Sequence, residues 1–66
     1  MPMKGTELRA IRDRMKLSQS QLAKEIGIHT NSIARMERGE MTISEPVARL
    51  VRLLAAHQPK RKERKL

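Results

Sequence analysis

A chain of 66 residues is expected to form one small domain, because two hydrophobic cores need more residues than this. It contains no Cys, Phe, Trp or Tyr, which excludes disulfides, thiolate metal sites and an aromatic core. Its formal net charge of +8 predicts an anionic partner, most often nucleic acid.

The first predicted helix begins close to the N-terminus, with Thr6 as its N-cap. Leu8, Ile11 and Met15 follow at helical spacing, which places them on one apolar face. Arg12 falls on the same face, where an unpaired guanidinium would be costly. The pattern therefore predicts that Arg12 has an acidic partner elsewhere in the fold.

Two further short helices follow, and a tight turn joins them within residues 19–38. Ser18 begins the first of them, Gln21 completes a capping box, and Gly27 supplies a turn residue that tolerates positive φ. The second helix covers residues 30–38. The apolar residues of the pair are Leu22, Ala23, Ile26, Ile28, Ile33 and Met36. A small residue at the crossing and a glycine in the turn are typical of a helix-turn-helix.

A fourth helix is predicted to begin at Ser44, with Pro46 in its first turn, where a missing N–H costs nothing. Its buried face is expected to contain Val47, Leu50, Val51 and Leu54. The composition changes after this helix, because residues 57–66 include five basic side chains and only one acidic side chain. The sequence thus predicts a folded domain, residues 1–56, and a basic disordered tail, residues 57–66.

Two stretches, SQSQLAKEIGI and SIARMERG, and the apolar helix after them resemble the phage repressor and Cro-like (XRE-type) helix-turn-helix family. The resemblance covers residues 6–54. It implies an all-α fold, a compact lambda-repressor-like bundle of four helices with five as the alternative, whose third helix enters the DNA major groove. It also implies a homodimer on a palindromic operator. His29 departs from the Ser or Thr that the family often has as N-cap, and no fifth apolar helix follows the fourth.

The third helix turns a short, polar and basic face away from its apolar stripe. Asn31 suits adenine, Arg35 suits guanine, and Ala34 leaves room for a thymine methyl group. Together with the resemblance, this face predicts base contacts by Thr30, Asn31, Ser32, Ala34 and Arg35. The alternative is an ordinary solvated helix face.

Contacts to the DNA backbone are predicted at helix ends. Ser18 and His29 stand at helix N-termini, whose free N–H groups attract phosphates. The resemblance places Gln19 and Arg38 on positions that hold the sugar-phosphate backbone. For His29 the alternative is a neutral imidazole that only fills the cap position.

The resemblance also supplies a partner for Arg12, because the family commonly pairs an Arg and a Glu at the positions of Arg12 and Glu37. We therefore expect a partly buried, bidentate ion pair that fixes the third helix against the first. The alternative is that the Arg12 side chain extends to solvent.

Two regions outside the helix-turn-helix are expected to take part in binding. Leu53 lies off the inner stripe of the fourth helix and, with Ala56 and Met41, would form a small twofold contact. A lone exposed Leu on a monomer is the alternative. The basic residues 60–65 would follow phosphates or enter a minor groove, unless they serve only solubility.

These features predict a cytoplasmic DNA-binding transcriptional regulator of a phage or mobile element, in particular a repressor that often controls its own operon. Its expected partners are double-stranded DNA and a second copy of the chain, with no cofactor, metal or membrane. An enzyme is disfavoured because no nucleophile has a recognisable base, and a membrane-surface helix because Gly27, Gly39 and Pro46 interrupt the chain. The alternative is an antitoxin-type protein-interaction module whose DNA binding is secondary.

Overall fold

The computed structural model describes residues 3–57, and within this range the chain forms four α-helices and no strand. The helices are α1 (Gly5–Arg14), α2 (Gln19–Ile26), α3 (Thr30–Glu37) and α4 (Glu45–His57). The all-α prediction is confirmed. Residues 58–66, to which the sequence assigns most of the basic tail, lie outside the described residues, whereas residue 57 is the last residue of α4.

The core draws on every helix and on the segments before α1 and before α4. One fully buried aliphatic side chain comes from each helix, and these four are Leu8, Leu22, Ile33 and Val51. The rest of the buried core consists of Met3, Ile11, Ala23, Met36, Ile43 and Ala48. The apolar faces predicted for α1, α2 and α3 all lie in this core or pack against it. Because four short helices share one core, none of them needs to be stable alone.

The N-terminus of α1 differs from the prediction. The helix begins at Gly5, and Lys4 is an N-cap in extended conformation whose side chain makes no capping hydrogen bond. The Lys4 carbonyl accepts from the N–H of Leu8 at 3.0 Å, so Thr6 lies inside the first turn and its prediction as N-cap is wrong. The reason is tertiary, because the buried Met3 anchors the chain before the helix.

Gly5 permits a close approach between the start of α1 and the end of α3. A Cβ atom at this position would collide with the carbonyl oxygen of Met36 and would stand 2.7 Å from that of Glu37. Both obstacles are backbone atoms, which cannot turn aside as a flexible side chain would. The absence of a side chain at Gly5 therefore sets how closely α1 packs on α3.

The buried face of α4 is rotated relative to the prediction. Leu50 is expected in the core from its spacing, but it is 45% exposed, while Ala48 is buried at 3%. The inner face centres on Val51 and is flanked by Ala48 and Ala55, whose small side chains allow α4 to lie close to the other helices. A residue next to Val51 in sequence points about 100° away from it around the helix, which leaves Leu50 at the surface.

The start of α4 follows its sequence signals. The Ser44 carbonyl accepts from the N–H of Ala48 at 2.9 Å, and Pro46 lies in the first turn as predicted. Ile43 and Ala48 then occupy the N′ and N4 positions of a hydrophobic staple, and both are buried. This pattern is the sequence signal that identifies Ile43 as a core residue, although the apolar periodicity of the helices does not include it.

Candidate DNA interface

The start of α2 and the turn after it are fixed by local hydrogen bonds. The Ser18 hydroxyl oxygen accepts from the backbone N–H of Gln21 at 3.0 Å, and the Gln21 side-chain oxygen accepts from the backbone N–H of Ser18 at 2.8 Å. Gly27 has φ 78°, and its N–H donates to the Ala23 carbonyl at 2.8 Å. The predicted capping box and left-handed turn residue are both confirmed.

The crossing of α2 and α3 combines close apolar packing with one polar contact. Ala23 is 2% exposed and Ile33 is fully buried, so the two backbones approach each other across small and aliphatic side chains. At the surface, the hydroxyl oxygens of Ser20 and Thr30 lie 3.3 Å apart, which joins the first turns of the two helices. Ser20 was not identified from the sequence, because this contact depends on the crossing angle.

The outer face of α3 carries the five residues that were predicted to contact bases. Thr30, Asn31 and Arg35 are exposed, and the Arg35 side chain is 58% exposed. Ser32 and Ala34 are half-buried at the two margins of this face. Three of the five side chains are therefore freely accessible to a ligand, and the other two present only part of their surface.

The four residues predicted to bind phosphates also differ in their exposure to solvent. Ser18, His29 and Arg38 are exposed. His29 is the N-cap of α3, and its side chain makes no capping hydrogen bond. Gln19 is half-buried, and its side-chain amide donates to a carboxylate oxygen of Glu37 at 3.0 Å. Since this bond uses one of its two amide hydrogens, the second remains available for an acceptor outside the protein.

Arg12 and Glu37 form the bidentate pair that links α1 to α3. Arg12 Nε donates to Glu37 Oε2 at 2.6 Å, and Nη2 donates to Oε1 at 3.1 Å. The remaining terminal nitrogen, Nη1, donates to the Leu17 carbonyl at 2.9 Å. The two side chains are 13% and 5% exposed. The guanidinium therefore lies within the fold and does not extend to solvent.

The protonation equilibria agree with this geometry. Burial of the Glu37 carboxylate raises its pKa, but hydrogen bonds from Arg12 and Gln19 and the charges of Arg12 and Arg9 lower it by more, so the pKa of Glu37 is below its usual value. The hydrogen bond to Glu37 raises the pKa of Arg12. Both groups are thus charged at neutral pH, and their hydrogen bonds are charge-assisted.

A family model described as helix-turn-helix matches residues 8–53, which is more than half of the chain and spans α2, the turn and α3. The chain belongs to the Cro/C1-type helix-turn-helix family. Members of the Cro/C1-type family bind DNA, and they are typically non-catalytic. A search of the curated proteins gave no match to the chain.

One acidic residue of this helix-turn-helix domain was not identified from the sequence. Glu40 follows α3 after Arg38 and Gly39, and its carboxylate accepts from Arg38 Nε at 2.9 Å and from Arg38 Nη2 at 3.3 Å. Its Oε1 atom also lies 3.8 Å from Arg35 Nε. The hydrogen bond from Arg38 lowers the pKa of Glu40 below its usual value. A carboxylate thus lies beside two arginines of the candidate interface.

Residues 3–57 offer neither a membrane-spanning helix nor a cluster of metal ligands. Every helix in this range is too short or too polar to cross a bilayer. The same residues contain no cluster of three His, Cys, Asp or Glu side chains that could hold a metal ion.

Proposed function

We propose that the chain is a sequence-specific transcriptional regulator that inserts α3 into the major groove of duplex DNA. The observation that carries the proposal is the division of α3 into two faces. Ile33 and Met36 are buried against the rest of the domain, while Asn31 and Arg35 are exposed on the opposite side. A polar helix held by its apolar face can enter a groove without losing its own packing.

Direct readout would depend mainly on Asn31 and Arg35. The Asn31 amide matches the N6 and N7 groups of adenine, and the Arg35 guanidinium matches O6 and N7 of guanine. Thr30, Ser32 and Ala34 would add shorter contacts, such as a methyl contact to thymine. Such contacts discriminate between bases, whereas contacts to phosphates do not.

Contacts to phosphates would come from Ser18, Gln19, His29 and Arg38. The hydroxyl of Ser18 accepts within the capping box and can still donate its own hydrogen. The Gln19 side chain donates a hydrogen bond to Glu37, which belongs to α3. A phosphate that accepts the second amide hydrogen of Gln19 would therefore fix the position of α3 relative to the DNA backbone. These contacts would set the register of the domain on the duplex.

A homodimer on a palindromic operator is part of the proposal, because one copy of so small a reader contacts few base pairs. The exposed apolar side chains support a twofold contact through α4. Leu53 is 52% exposed, Leu50 is 45% exposed, and Met41, which precedes the helix, is 38% exposed. Ala56 is exposed one turn beyond Leu53. Because Leu50 is at the surface, the exposed apolar patch is larger than the one predicted from the sequence.

Repression is the proposed outcome of binding, since a protein that occupies promoter DNA blocks polymerase without any further activity. A reporter assay tests this outcome with the operator placed either across the promoter or upstream of it. We expect repression only when the operator overlaps the promoter. Activation from the upstream site, or no effect from either position, would contradict the repressor role.

The decisive experiment is selection of bound duplexes from a random pool, followed by the same selection with the double variant Asn31→Ala/Arg35→Ala. The wild-type chain is expected to yield a palindromic motif with half-sites about one helical turn apart. The double variant should lose the motif and still bind DNA weakly through its net charge. An unchanged motif would exclude α3 as the reading helix.

An antitoxin-type role, in which α4 binds a different protein, is the second candidate. It is supported by a shallow, mainly apolar cleft on α4, whose lining residues are Glu45, Pro46, Arg49, Leu50 and Leu53. Purification from the native host discriminates the two functions, because an antitoxin should retain a stoichiometric small protein. A regulator that dimerises through α4 should instead purify with its own copy only.

A further inference from the structure

The backbone at the end of α3 holds Glu40 in a defined position. Gly39 has φ 82°, a left-handed conformation that a side chain would disfavour, and its N–H donates to the Met36 carbonyl at 3.1 Å. The N–H of Glu40 donates to the Arg35 carbonyl at 2.8 Å. These two bonds form a complete Schellman motif. The residue that bears the carboxylate is therefore tied by its own backbone to the residue proposed to read a base.

The carboxylate of Glu40 lies between two arginines that differ in their proposed roles. It accepts two hydrogen bonds from Arg38, at 2.9 and 3.3 Å, and one of its oxygens lies 3.8 Å from Nε of Arg35. The three side chains are between 51% and 60% exposed, so none of them is needed for the core. An acidic side chain on a surface proposed to bind DNA repels the phosphates and weakens binding. A role that compensates for this loss of affinity would explain why Glu40 lies there.

We propose that Glu40 is a positioning residue that determines specificity, because it holds the Arg35 guanidinium in the orientation that reads a base. This inference rests on the proposed function. The carboxylate lies 3.8 Å from Nε of Arg35, and the two terminal nitrogens of Arg35 donate no hydrogen bond within residues 3–57. Those two nitrogens can donate a bidentate pair of hydrogen bonds to guanine O6 and N7.

Restraint of Arg35 improves discrimination in two ways. An arginine that is already oriented loses less rotamer freedom when it binds the correct base. An arginine that is free to swing can contact a phosphate next to a wrong base, and this contact reduces the difference between sites. Glu40 disfavours that second arrangement, because the carboxylate attracts Arg35 and repels the phosphate.

Arg38 adds a step that couples phosphate binding to base reading. A DNA phosphate that binds Arg38 competes with Glu40 for the same guanidinium. Once the phosphate has replaced it, the carboxylate has Arg35 as its remaining cationic neighbour. Docking on the backbone thus strengthens the restraint on the residue that reads the base.

The experiment compares Glu40→Gln with Glu25→Gln, which removes the same charge from an exposed position in the last turn of α2. Each variant is tested by selection from a random pool and by affinity for the selected and for a scrambled duplex. Both should bind the scrambled duplex more tightly than wild type, because both raise the net charge by one. Only Glu40→Gln should relax the preference at the base pair that Arg35→Ala identifies, with the affinity ratio between selected and scrambled duplex falling by about threefold.

A third variant, Glu40→Asp, keeps the charge and shortens the side chain. Positioning requires that this variant also relax the preference at the Arg35 base pair, while its affinity for the scrambled duplex stays at the wild-type level. If either Glu40 variant changes that base pair no more than Glu25→Gln does, the inference is overturned and the proposed function remains. If the wild-type chain selects no motif, both fail together.

Discussion

The carboxylate of Glu37 in α3 meets the guanidinium of Arg12 in α1 edge to edge, with hydrogen bonds of 2.6 and 3.1 Å. Gln19 of α2 donates to the same carboxylate at 3.0 Å. One side chain of α3 is therefore hydrogen-bonded to both of the helices before it. Glu37 therefore helps to set the orientation of α3 relative to α1 and α2, although its side chain does not lie on the outer face of α3.

We expect Glu37→Ala to lower the free energy of unfolding by about 3 kcal/mol, because it leaves the largely buried Arg12 guanidinium without a counter-charge. Urea denaturation measures this change. The double variant Arg12→Met/Glu37→Leu should recover much of the loss, since neither charge then remains inside the fold. If Glu37→Ala unfolds at the same urea concentration as wild type, the ion pair contributes nothing to stability.

The same pair predicts a dependence of stability on pH. The pKa of Glu37 is lowered in the folded state, so its contribution is fully present above the unfolded pKa of about 4.3 and is lost as the pH falls through the folded pKa. Glu37→Gln cannot titrate at this position. The difference in unfolding free energy between wild type and Glu37→Gln should therefore shrink as the pH is lowered below about 5. A difference that stays constant over this range would contradict the prediction.

Gly5→Ala should destabilise the fold although alanine is the better helix former by about 1 kcal/mol. The new Cβ atom would collide with the carbonyl oxygen of Met36, so α1 and α3 must separate, at a cost of about 1–3 kcal/mol. Thermal unfolding measures the change. Thr6→Ala, at the exposed neighbouring position, is the control and should be neutral or stabilising. Greater stability of Gly5→Ala than of wild type would exclude the close approach.

The double variant Leu50→Glu/Leu53→Glu should dissociate the proposed dimer, because two like charges would face their symmetry mates across α4. Sedimentation equilibrium measures the dissociation constant, and an increase of at least about tenfold is expected. Ala10→Glu, an exposed change on α1, should leave the constant unaltered. A wild-type chain that stays monomeric at every accessible concentration would remove the dimer from the proposal.

Deletion of residues 58–66 should weaken DNA binding about equally on all sequences. This segment has five basic and one acidic side chain, which can contact phosphates but give no base preference. The slope of log K against log salt should become shallower by about 0.9 for each phosphate that the shortened chain no longer neutralises. An unchanged slope would show that the segment does not contribute to the interface.

The parts of the fold that were predicted from sequence are those set by neighbours along the chain. The capping box at Ser18 and the left-handed Gly27 depend only on residues within the same turn of helix, and both are confirmed. The pairing of Arg12 with Glu37 was expected from the family resemblance and from the cost of an unpaired guanidinium on an apolar face. Local chemistry and one energetic argument thus account for the helix-turn-helix itself.

The features that sequence did not identify depend on packing between helices. Leu50 fits the apolar periodicity of α4, but the neighbouring alanines allow a closer contact on a different face. Thr6 is a good N-cap residue, but the buried Met3 sets an earlier start for α1. Glu40 has no sequence signal, because its contacts arise only after the chain has turned at the end of α3.

The two ends of α3 are secured to different degrees. Its last turn is tethered through the largely buried Glu37, whereas its first turn has no side-chain cap from His29 and meets α2 through the exposed 3.3 Å hydroxyl contact of Ser20 and Thr30. The Ile33 N–H also lies a long 3.4 Å from the His29 carbonyl. Fraying should therefore begin in the first turn of α3, and the amide hydrogen of Ile33 should exchange with solvent sooner than those near Glu37. In the proposed complex, a helix held at its C-terminal end and less constrained at its N-terminal end can adjust Thr30 and Asn31 to small variations in groove width.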